Sequence, residues 1–74
     1  MKKQVEINNK VLEVLLDIIH EENLPINVDV GERFVDDNGS ISVNVLFDYE
    51  SEHSSLLNET ICKAINLTFD LTDD

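Results

Sequence analysis

Residues 26–49 read INVDVGERFVDDNGSISVNVLFDY, and this stretch decides the fold. Ile26, Val28 and Val30 alternate with polar residues before a polar turn, and Ile41, Val43, Val45, Phe47 and Tyr49 do so after it. A period of two marks a strand with one buried face. Asn38-Gly39 is the pair favoured in a two-residue type I′ hairpin turn, where both positions need positive φ. That turn predicts a register in which Phe34 faces Val43, Val30 faces Phe47 and Val28 faces Tyr49 on one face. It also predicts Asp29 directly opposite Asp48 on the other face, a like-charge pair that costs stability. Glu32 falls opposite Val45 inside the apolar stripe. An inward-pointing charge blunts a strand edge, so Glu32 assigns the first hairpin strand to the edge of the sheet.

Working outward, Val5 and Ile7 alternate with Gln4 and Glu6, predicting a short strand over 3–7. Asn8 or Asn9 is suited to cap a helix over 9–23, with Leu12, Leu15, Leu16 and Ile19 as its i, i+3, i+4, i+7 stripe. Asn23 and Pro25 end it. After the hairpin, Ser54 or Ser55 starts a second helix over 53–65, with Leu57, Ile61, Ala64 and Ile65 on its buried side. Leu67, Phe69 and Leu71 then alternate with Thr68 and Asp70, predicting a last strand over 67–71.

The order is β-α-β-β-α-β. This is a small two-layer α+β domain of the split-βαβ or ferredoxin-like kind, two helices covering one face of a four-stranded antiparallel sheet. The alternative is αββα with loosely ordered terminal segments. The expected core is Leu12, Leu15, Leu16, Ile19, Val28, Val30, Phe34, Val43, Val45, Phe47, Leu57, Ile61, Ile65 and Phe69.

Seventy-four residues make one domain. The net charge of -11 alone suggests disorder, but 42% of the residues are hydrophobic and fall in periodic clusters. Three of the five basic residues (Lys2, Lys3 and Lys10) lie in the first ten positions. From residue 11 onward only Arg33 and Lys63 oppose fifteen carboxylates. Such a field repels nucleic-acid phosphates and anionic membranes and attracts basic protein surfaces. There is no apolar run of the ~18 residues that a bilayer span requires and no signal-peptide pattern, so the expected location is the cytoplasm.

Little in the chain points to catalysis. His20 lacks a second histidine four residues away, and His53 among Asp48, Glu50 and Glu52 reads as a polar junction rather than a metal site. Asp36-Asp37-Asn38-Gly39 has no calcium-loop ligand spacing and is explained as a turn. Cys62, mid-helix beside the buried side, reads as a packing residue. With two glycines in the chain there is no phosphate-cradling loop. No enzyme activity, cofactor or metal is expected.

The open sheet face is expected to carry Gln4, Glu6, Asn27, Asp29, Arg33, Ser42, Asn44, Asp48, Glu50, Thr68 and Asp70, without the aromatic and basic residues of an RNA-binding sheet. Asp17, Glu21 and Glu22 crowd the C-terminal half of the first helix, where the helix dipole disfavours anions. Local inconsistencies of this kind occur at functional surfaces. The expected partner-binding residues are therefore Asp17, Glu21, Glu22, Asp29, Asp48 and Glu50.

The expected partner is a protein with a basic surface, such as a nucleic-acid-handling enzyme whose nucleic acid the carboxylates imitate. In size and charge the chain is similar to the small acidic inhibitors of phages and mobile elements, anti-CRISPR and anti-restriction proteins among them. The competing reading is an antitoxin, immunity protein or small regulatory subunit that binds one cognate protein.

Overall fold

The computed structural model describes residues 1–70, with Asp70 described in its backbone alone. The order is β1 (Lys2–Asn8), α1 (Asn9–Glu21), β2 (Ile26–Val35), β3 (Ile41–Tyr49), a 3₁₀ turn at Ser51–His53, and α2 (Ser54–Asp70). The three strands form one sheet in the order β1-β3-β2, with both neighbours of β3 antiparallel to it. β1, α1 and β2 thus make a split βαβ unit with β3 in its gap. The chain is an α+β domain of β-α-β-β-α order.

The fourth strand is a correction. Residues 67–70 continue α2 instead of turning back as a strand, and Leu71 lies outside the described residues. The buried residues of α2 are Leu57, Thr60, Ala64 and Thr68, a helical stripe of which half is threonine. Each threonine hydroxyl donates to the carbonyl four residues earlier, Thr60 to Leu56 and Thr68 to Ala64, both at 2.7 Å. That bond lets a hydroxyl be buried without loss, so the stripe runs on past Ile65, where the apolar pattern stops.

Helix α1 begins at the Asn8 cap, whose side-chain oxygen accepts from the Lys10 amide at 2.8 Å. It ends in a Schellman motif. Asn23 sits in the left-handed region at φ 50°, the Leu24 amide donates to the Ile19 carbonyl, and the Asn23 amide to that of His20. Val11, Leu12, Leu15 and Ile18 are its buried residues, whereas Leu16 and Ile19 are half-buried. The buried stripe is therefore rotated slightly from the expected one. With Ile7, Ile26, Val43, Val45, Phe47, Tyr49, Leu57 and Ala64 these residues form the core between helices and sheet.

The hairpin register also differs from expectation, in two steps. Asn38 does not have the positive φ that a type I′ turn needs; Gly39 does, at 82°. Asp36 organises the turn: its carboxylate accepts from the Asn38 and Ser40 amides at 2.9 and 3.1 Å, and its carbonyl accepts from the Gly39 amide at 3.0 Å. The result is a three-residue loop with glycine in the left-handed position. This moves the pairing by one residue, so Arg33, Phe34 and Val35 face Val43, Ser42 and Ile41.

A bulge between Val30 and Arg33 moves the pairing by one more. Val30, Val28 and Ile26 then face Val45, Phe47 and Tyr49. A shift of one flips the face and a shift of two restores it. Val28 and Val30 consequently keep the expected inward face, while Phe34 turns outward and Arg33 inward. Val30, Phe34 and Phe69, expected in the core, are exposed. β2 is an edge strand as expected, and it is the bulge that accommodates Glu32 there.

Candidate binding face

The face of the sheet away from the helices is built from four rows across β1, β3 and β2. They are Asn8, Ser42 and Phe34; Glu6, Asn44 and the bulge pair Gly31-Glu32; Gln4, Leu46 and Asp29; Lys2, Asp48 and Asn27. Alternation from Val30 on one side and Arg33 on the other turns both bulge residues to this face. Glu6, Glu32, Asp29 and Asp48 therefore project from it, against Lys2 as the one lysine. Glu6, Glu32 and Asp29 are exposed, and Asp48 is half-buried.

Asp29 and Asp48 do not lie directly opposite one another, which corrects the expected like-charge pair. Asp29 faces Leu46, and Asp48 lies between Asn27 and Lys2. The two carboxylates are diagonal neighbours, a spacing of roughly 7–8 Å between Cα atoms in such ladders. Asp48 also has the Met1 ammonium 3.8 Å away. Glu50 is exposed just past β3, and its carbonyl accepts from the His53 amide at 2.8 Å to close the 3₁₀ turn.

The other three expected binding residues lie in the helix layer. Asp17, Glu21 and Glu22 are exposed on or just after α1, and Lys63 of α2 donates to Glu22 at 3.3 Å. The sheet-face set and the helix-end set thus lie in different layers of the domain. Glu32 is the acidic residue that sequence reasoning placed on the wrong face. Its signal was Gly31, since an isolated glycine inside a strand marks a bulge or a close backbone approach. Arg33 leaves the open face and donates through Nε to Asn9 Oδ1 at 3.1 Å, tying β2 to the start of α1.

A mixed surface lies at the opposite end of the helix layer from Asp17 and Glu22. A cleft of about 440 Å³ opens among Asn9, Lys10, Ser40, Ile41, Thr68 and Phe69. Ile41 is 47% exposed, its cross-strand partner Val35 68% and Phe69 59%. Cys62 corrects another expectation: it is exposed on the outer side of α2 rather than packed.

Among the described residues no three His, Cys, Asp or Glu side chains approach closely enough to hold a metal ion. No helix among them is long and apolar enough to cross a membrane. No family model, curated protein or solved structure matches the chain.

Proposed function

We propose that the chain acts by binding rather than catalysis, and that its open sheet face docks on a basic surface of a protein that handles nucleic acid. In this reading Glu6, Asp29, Glu32 and Asp48 occupy positions along the path of the displaced phosphates, with Glu50 at the margin. The observation that carries it is the concentration of four carboxylates, drawn from all three strands, on a face that no helix covers among the described residues. A folding requirement does not account for them, because polar uncharged residues fill an exposed face equally well. Complementary charge gives such a surface speed and selectivity of association more than raw affinity.

The experiment is displacement of labelled nucleic acid from a partner captured out of the native host. The unmodified chain should displace it at low salt and lose that ability as salt rises. Asp29→Asn, Asp48→Asn and Glu50→Gln combined should keep the fold and weaken displacement. Equal displacement by the neutralised chain at every salt concentration rejects the reading.

The exposed Val35, Ile41 and Phe69 beside the 440 Å³ cleft favour a second reading. There the chain is an antitoxin, immunity protein or small regulatory subunit that meets one cognate protein through a mixed apolar and polar patch. Ile41→Ser would then abolish binding that the carboxylate substitutions leave intact.

A further inference from the structure

We propose that the outer edge of β1 is a self-association edge, pairing antiparallel with β1 of a second copy so that two three-stranded sheets join into one of six strands. The proposal stands on backbone geometry and strand charge and does not rest on the partner reading above, with which it shares Glu6. Met1 and Tyr49 exchange both backbone bonds: the Met1 ammonium donates to the Tyr49 carbonyl at 2.8 Å, and the Tyr49 amide donates to the Met1 carbonyl at 2.9 Å. Such pairs alternate along an antiparallel ladder. Lys3, Val5 and Ile7 therefore direct their backbone groups toward β3, and Lys2, Gln4 and Glu6 direct theirs outward. Among the described residues no strand lies on that side, and a row of outward amides and carbonyls is a template for a further strand.

The two edges of the sheet are unlike. β2 follows Pro25, is broken by the bulge at Gly31 and Glu32, and presents Asp29 and Glu32. These features blunt an edge. β1 is seven residues without bulge, glycine or proline, and pairs with β3 in unbroken register. Its charges are also ordered, with Lys2 and Lys3 at one end and Glu6 at the other.

Antiparallel pairing about a two-fold axis at Gln4 sets Lys2 opposite Glu6 of the second copy and Glu6 opposite its Lys2. Gln4 meets its own counterpart, and Lys3 lies opposite Val5. Lys2, Gln4 and Glu6 share the open face, so both copies keep their helices on the same side of the joined sheet. Sliding each strand to a two-fold axis at Val5 loses both charge pairs, because Lys2 then meets Asn8 and Gln4 meets Glu6. Edge lysines ordinarily repel a neighbouring strand. Here each Lys2 is answered by Glu6 of the other copy, so the same charges select one self-complementary register.

Sedimentation of the full chain over a range from low micromolar to near-millimolar should resolve a reversible monomer–dimer equilibrium. Lys2→Glu or Glu6→Lys alone sets like charges opposite one another twice and should weaken the dimer about tenfold. The two together restore the pairs in reverse and should recover the original dissociation constant within a few-fold. Gln4→Pro removes an outward amide that the β3 ladder does not use, so it should give a monomer with an unchanged circular dichroism spectrum. If that variant loses structure, the charge-reversal series decides alone. A chain that stays monomeric throughout, or a dimer indifferent to these substitutions in a folded chain, overturns the proposal.

Discussion

Gly31 rests against the backbone of Asn44, and a Cβ on Gly31 would lie 2.8 Å from the Asn44 carbonyl oxygen. The contact is with backbone in the central strand, so it cannot be relieved by a side-chain rotation. It fixes the bulge, and the bulge turns Glu32 to the open face and returns Val30 to the inner one.

Gly31→Ala should accordingly destabilise the domain by about 1–3 kcal/mol, the usual range for overpacking a close contact. Gly39→Ala carries a different cost. Its Cβ meets no atom within 4 Å, but its φ of 82° is unfavourable to an L side chain by roughly 1–2 kcal/mol. Urea midpoints of the two variants measure both effects. A neutral Gly31→Ala would argue against this close approach of Gly31 to the Asn44 carbonyl.

Much of this fold was legible in the sequence because its strongest patterns are periodic. The alternation in residues 41–49 became β3, Asn8 capped α1, and Asn23 with Pro25 marked its end. Two features were hidden for identifiable reasons. Asn38-Gly39 carries the composition of a two-residue turn, yet the Asp36 carboxylate offers the Asn38 and Ser40 amides a better arrangement. Thr60 and Thr68 occupy buried positions of α2 that an apolar count passes over, so Leu67-Thr68-Phe69 imitated a strand. The candidate face was legible in Asp29 and Asp48, whereas Glu32 required knowledge of the bulge.

Leu15 and Phe47 are fully buried on opposite sides of the core. Truncation of either to alanine should cost about 2–5 kcal/mol. In a domain of 74 residues that is a large share of the total stability, so the thermal midpoint should fall sharply or the transition vanish. An unchanged midpoint would contradict the packing of helices on sheet.

Asn23 supplies the left-handed residue of the α1 C-terminus at φ 50°. Asn23→Gly should hold or raise stability, because glycine adopts that conformation without a steric cost. Asn23→Val should lower it by roughly 1–3 kcal/mol, since a β-branched residue is strained there. Equal midpoints for both variants would argue against the Schellman ending.

Beyond residue 10 fifteen carboxylates share the chain with Arg33 and Lys63, and Lys63 is within 3.3 Å of Glu22. Self-repulsion of this kind is relieved by screening. At fixed protein concentration the thermal midpoint should rise as sodium chloride increases from about 0.01 to 0.15 M, over which the Debye length falls from ~30 to ~8 Å. A flat or falling midpoint would mean that the carboxylates are already compensated.

The most direct test of the sheet-face account is the salt dependence of the dissociation constant for a captured partner, compared between the unmodified chain and the Asp29→Asn, Glu32→Gln, Asp48→Asn variant. The account predicts a steep loss of affinity with salt for the unmodified chain. The variant should bind about tenfold or more weakly at low salt and show a shallower slope. Glu21→Gln with Glu22→Gln, on the helix layer, should leave both affinity and slope nearly unchanged. If the sheet-face variant keeps the affinity and slope of the unmodified chain, the open face is not the binding surface.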